Sequence, residues 1–111
     1  MSMLSTRGAA AVSESMAILR GLAPDGGLYV PEDFPHFSME EIAALGALNY
    51  QARALAILQK FLPDFTADEL KNAIAGAYGA GFDDADIAPV RPVGDWAHAL
   101  ELWHGPTLAF K

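Results

Sequence analysis

"GLAPDGGLYVP", residues 21–31, decides how this chain folds, because it obliges the backbone to reverse and then delivers it into an extended run. Gly21 offers a left-handed stop for a preceding helix. Pro24 suits the second position of a tight turn, Asp25 hydrogen-bonds forward onto its own backbone, and Gly26 and Gly27 tolerate positive φ. "LYV" (28–30) therefore reads as a strand, which Pro31 ends by removing a donor. The turn has two readings: a structural reversal alone, or a loop that also lies near an active-site entrance.

Working outward, Ser13 caps a short helix with Glu14 in its first turn and Met16, Ile18 and Leu19 as its apolar face. "STRG" (5–8) reads as an edge strand or a frayed tail. On the other side, "FSMEEI" (37–42) sets Ser38 and Glu41 three apart as a capping box, with Phe37 and Ile42 at the staple positions. A helix is expected near 39–47, then a second one capped by Asn49 and running to about 62, where Pro63 stops it. Leu55, Leu58 and Leu62 form its stripe. "FTADEL" (65–70) repeats the capping device with Thr66 and Glu69, and its helix frays at Gly79.

From Ile87 the period shortens to that of a strand. Two short strands flank Gly94-Asp95, with Trp96, His98, Leu100 and Leu102 alternating onto one face, while Pro89 and Pro92 confine the first strand to a sheet edge. The expected fold class is α+β: roughly four helices and a small sheet built from the "LYV" strand and the hairpin near 88–103.

Composition narrows the function. The 111 residues are 52% hydrophobic, enough for one domain with a modest core. Seven Lys+Arg against fourteen Asp+Glu give a net charge of −7, which repels nucleic acid and anionic membrane surfaces. Without cysteine there is no disulfide, thiolate nucleophile or Cys-based zinc site, and the chain suits a reducing, cytoplasmic setting. The amino-terminal stretch lacks the long apolar region of a signal peptide, and no run of about eighteen apolar residues spans a bilayer.

Few residues carry a chemical signal. "GAYGAG" (76–81) reads as a helix end followed by a flexible turn, and "DDAD" (83–86) as a solvated acidic loop lacking the pattern of a calcium site. His36 reads as a surface histidine and His98 as a partly buried one. "HGPT" (104–107) is different, because Thr107 is placed to cap a helix that runs into "LAFK" and puts Lys111 in its first turn. A helix N-terminus and apolar neighbours both disfavour the ammonium form, and an amine with a lowered pKa attacks aldehydes. The competing reading of Lys111 is an ordinary surface lysine. For HGPT the choice lies between a turn that aims the lysine and direct contact of His104 or Thr107 with substrate or cofactor phosphate. Arg7 reads as a surface or ion-pair arginine, or as a planar fork for a substrate phosphate or carboxylate.

"STRG" (5–8), "GLAPDGGLYVP" (21–31) and "ELWHGPTLAFK" (101–111), in this order, resemble the N-terminal segment of threonine synthases. That family's pattern closes on "HGPTLAFKD", and Trp103 stands where it often carries phenylalanine. The resemblance implies a fold type II enzyme that uses pyridoxal phosphate (PLP) to convert O-phospho-L-homoserine and water into L-threonine and phosphate. It implies that Lys111 is the lysine that binds the cofactor and then serves as general base, with His104, Thr107 and Arg7 as candidate substrate or cofactor contacts. It implies a small N-terminal domain over 1–100 and, at 101–111, the start of a catalytic domain that continues downstream and is this segment's partner. The 111 residues alone are then expected to be inactive. The alternatives are a non-catalytic interaction domain derived from the family and another fold type II phospholyase.

Overall fold

The computed structural model describes residues 1–108. Its strands are β1 (Ser2–Ser5), β2 (Val12–Ser13), β3 (Tyr29–Pro31), β4 (Val90–Val93) and β5 (Ala97–Leu100); its helices are α1 (Glu14–Arg20), α2 (Met39–Gly46), α3 (Tyr50–Phe61) and α4 (Ala67–Ala77). The α+β class and the helices follow the expectation. Each helix starts where local chemistry puts it. The Ser13, Ser38, Asn49 and Thr66 side chains accept backbone N–H groups of α1, α2, α3 and α4, and the boxes at Ser38/Glu41 and Thr66/Glu69 are closed in both directions.

The strands do not form one sheet. β1 lies at the centre of a three-stranded antiparallel sheet of order β2-β1-β3, with Leu4 opposite Val30 and Ser5 opposite Tyr29. β4 and β5 form a separate hairpin, in register from Val90 opposite Leu100 to Val93 opposite Ala97. Ser5, the first residue of STRG, thus belongs to a central strand rather than an edge. Pro89 and Pro92 limit the donors of the hairpin's first strand, which among the described residues pairs with β5 alone.

The buried apolar residues are Ala17, Ala23, Leu70, Ile74 and Ile87. Leu58, Leu62, Phe65, Leu70 and Ile74 line a groove of about 450 Å³ together with Ile18, so the expected α3 stripe faces α4 but is only half-buried. On α1 the expected apolar face is reversed: Ile18 and Leu19 are exposed, whereas Ala17 and the carboxylate of Glu14 are buried. Oε1 of Glu14 accepts from the Met1 ammonium and from the Asp64 amide, each at 3.1 Å. Burial alone would raise the Glu14 pKa, but these bonds and one from its own amide bring it below the usual range. On β5 the alternation is real but also reversed, with Ala97 and Ala99 half-buried and His98 exposed. The radius of gyration, 16.4 Å, exceeds the roughly 13 Å of a compact chain this long. The accessible surface, 7717 Å², likewise exceeds the roughly 5,900 Å² expected for this mass. Much of the apolar sequence therefore lies at the surface.

Candidate functional site

Two motifs singled out from the sequence acquire defined geometry. The first is built where STRG meets the 23–27 turn. Hydrogen bonds from Ala23 N–H to Gly27 O (3.0 Å) and Gly26 N–H to Ala23 O (2.9 Å) close the turn. The Asp25 carboxylate accepts from the Ser5 hydroxyl at 2.8 Å, the Ala9 amide at 2.7 Å and the Gly27 amide at 2.9 Å. The Gly27 amide is the main reason its pKa falls below the ordinary aspartate value; partial desolvation opposes this, and the Ser5 and Ala9 bonds reinforce it. Gly26 holds φ at 77°, and a Cβ on Gly27 would lie 2.2 Å from Ser5 Oγ. Arg7 is exposed above this turn, its Nη1 3.4 Å from the Asp25 carbonyl. Asp25 is therefore the hub that joins the two motifs, and Arg7 is carried on its rim.

The second site surrounds HGPT. The β4–β5 hairpin delivers Glu101, whose amide donates to the Pro89 carbonyl at 3.0 Å. One turn of chain later, His104 is held from both sides: Nδ1 lies 2.5 Å from Asp83 Oδ1 and Nε2 lies 2.7 Å from Glu101 Oε2. The Asp83 amide also donates to the His104 carbonyl at 3.1 Å. Hydrogen bonds donated by the ring to Glu101 and then to Asp83 push the imidazole pKa up against a smaller desolvation effect, and the nearby charges of Asp83 and Asp84 add to the rise. An imidazolium can donate from both nitrogens at once, which matches two carboxylate partners.

The acidic loop is thus not merely solvated. Asp84 accepts from the Asp86 amide at 2.9 Å and from Arg91 of β4 at 2.7 Å, which lowers its pKa, the amide bond being the larger cause. Ile87, buried and β-branched, takes a left-handed φ of 65° where its amide closes a turn onto Asp84. Phe82 packs on Gly105 so closely that a Cβ there would lie 3.1 Å from its ring. Tyr78 stands 6.1 Å from Phe82 and 5.0 Å from Tyr50, ring centre to ring centre, linking the helical pair to the HGPT turn.

Past Gly105 the chain turns, with the Leu108 amide donating to the Gly105 carbonyl at 3.0 Å. Leu108 has φ 56°, so no helix runs from a Thr107 cap through Leu108, contrary to expectation. Thr107 is exposed and lines a cavity of about 400 Å³ with Tyr50, Tyr78, Phe82, Ile87 and Leu102. Lys111 lies outside the described residues. His104 and Thr107 face different surroundings: His104 is bonded to Asp83 and Glu101, and Thr107 lines the cavity. Among the described residues no hydrogen bond or ion pair joins Arg7 to that turn. Asp83 and Glu101 were not singled out from the sequence. Glu101 carries a local signal, its i,i+3 spacing to His104. Asp83, twenty-one residues away in sequence, carries none.

The family model described as "Threonine synthase N terminus" matches residues 2–78. A threonine synthase of Pseudomonas aeruginosa is 44% identical over 113 residues, covering 100% of this chain and 24% of that protein. One from Methylobacillus glycogenes is 42% identical over 120 residues, covering 100% of this chain and 25% of that protein. The crystal structure of a PLP-bound threonine synthase from Brucella melitensis superposes with a TM-score of 0.91 at 39% identity, over 99% of this chain and 24% of that one. The chain therefore spans about a quarter of the length of these relatives.

Proposed function

The chain belongs to the threonine synthase N-terminus family, and from that premise we propose that it forms the amino-terminal part of a PLP-dependent threonine synthase acting in threonine biosynthesis in the cytoplasm. The substrate is O-phospho-L-homoserine, and the products are L-threonine and phosphate. The observation that carries this reading is the likeness over the entire chain to proteins named threonine synthase, joined to the HGPTLAFK sequence at 104–111. No helix among the described residues is long and apolar enough to cross a membrane.

Residues 1–100 form the N-terminal domain and 101–111 open the catalytic domain, which supplies the rest of the pocket. Among this chain's residues, the HGPTLAFK likeness points to Lys111 as the one that would hold the cofactor. His104 has both ring nitrogens committed to carboxylates. Thr107 presents an exposed hydroxyl beside the cavity and is the candidate for contact with a substrate or cofactor phosphate, as Arg7 is for a substrate anion. When bound, the cofactor supplies the electron sink for the reaction. Lys111 would hold it through its amine and, once displaced by the amine of the substrate, carry protons as general base. The test is phosphate release from O-phospho-L-homoserine by the full-length protein, with the 111-residue chain as the inactive control. A full-length protein that takes up the cofactor yet releases no phosphate from this substrate would overturn the assignment.

A further inference from the structure

We propose that His104 is a positioning residue whose imidazole, clamped between Asp83 and Glu101, locks the Gly105–Leu108 turn, which in sequence leads to Lys111; the proposal rests on the reading of Lys111 as the cofactor lysine. Three contacts converge on this turn. The clamp holds the ring at 2.5 and 2.7 Å, the Asp83 amide holds the His104 carbonyl at 3.1 Å, and the Phe82 ring packs so close to Gly105 that a Cβ there would lie 3.1 Å from it. The 83–87 loop that holds His104 is itself braced by the Asp84–Arg91 pair and contains the left-handed Ile87. An unsupported turn would not need a strained, ion-paired loop set against it. A histidine with both nitrogens spent on carboxylates is not free to act as a base, so its contribution passes through the backbone it holds.

The clamp is also titratable. The groups facing the ring are Asp83 and Asp84 from the acidic loop and Glu101 from its own segment, while Arg91 of β4 draws Asp84 to itself. A neutral imidazole has a single N–H and can donate to only one of its two carboxylate partners. Because the folded pKa is raised, the double clamp is complete below the ordinary histidine value and loosens as pH climbs through the raised one.

The experiment uses the full-length protein, with His104→Gln and the isosteric Glu101→Gln as variants. In the cofactor-free protein, hydrogen exchange in the 105–108 turn, read at the Leu108 amide that closes it, should quicken roughly tenfold in His104→Gln while the β1–β3 amides stay unchanged. In the loaded enzyme, kcat should fall about 10- to 100-fold with little change in KM. Glu101→Gln should shift the alkaline limb of the pH–rate profile toward neutrality, since the ring loses one anion; a purely structural role would lower the whole profile without moving it. Unchanged exchange at 105–108, or an unmoved alkaline limb, overturns the proposal. Borohydride trapping of the wild type reports separately on the premise: attachment at Lys111 with unaltered exchange refutes the clamp alone, whereas attachment at another lysine refutes the reading of Lys111 and, with it, the clamp's role in positioning.

Discussion

Gly27→Ala should unlock the joint between STRG and the 23–27 turn. The added Cβ would lie 2.2 Å from Ser5 Oγ, 3.0 Å from Asp25 Oδ1 and 3.1 Å from the Arg7 amide nitrogen. Ordinary contact begins near 3.4 Å, and one of the three atoms is backbone, so rotation of a single side chain does not relieve the clash. Ser5 must swing away, which breaks its bonds to Asp25 and pulls on the centre strand of the sheet. Overpacking of this kind costs about 1–3 kcal/mol. For a domain this size that corresponds to a melting temperature lower by roughly 5–20 °C. The assay is thermal unfolding of the 111-residue chain followed by far-ultraviolet circular dichroism. Gly76→Ala in α4 is the control: nothing lies within 4 Å of its Cβ, and helix propensity should raise stability by about 0.5–1 kcal/mol. A Gly27→Ala variant that melts with the parent would refute the argument that STRG and the 23–27 turn are mechanically joined.

Ile74→Ala removes one of the few buried apolar side chains and should cost about 2–5 kcal/mol in urea unfolding, since it leaves a gap in the groove that Ile74 lines with Leu58, Leu62 and Leu70. Thr66→Ala opens the α4 capping box and should cost about 1 kcal/mol, seen as faster hydrogen exchange in the first turn of α4. Acid titration should erode stability as pH falls below about 4.5, since the depressed carboxyls of Asp25, Glu41 and Glu69 stabilise the fold above their unfolded values of 3.8 and 4.5 and stop doing so as pH falls through the folded ones. Asp25→Asn should shallow that acid limb while weakening the fold at neutral pH.

The helices were legible because their signals are local. Ser38 and Thr66 reach only three residues forward, and Pro63 stops α3 by its own geometry. Strand partners were not, because β1 finds β3 across the 23 residues between Ser5 and Tyr29, a span bridged by the bond from Ser5 to Asp25. Period-2 alternation correctly marked β5 as a strand, yet it could not say that the alanine face turns inward and leaves His98 outside. The site divides in the same way. HGPT was visible as a motif and Glu101 sat within reach of it, but Asp83 belongs to a loop whose acidic character suggested only solvent. The exposed face of α1 has a related origin, since its inward positions carry an ion-paired glutamate and an alanine rather than its largest apolar side chains.

The most direct measurement is cofactor trapping: load the full-length protein with pyridoxal phosphate, reduce it with borohydride, digest it and map the modified peptide by mass spectrometry. The account predicts modification at Lys111, in the peptide containing HGPTLAFK. Modification at Lys60, at Lys71 or at a lysine beyond residue 111, with Lys111 left intact, would contradict it.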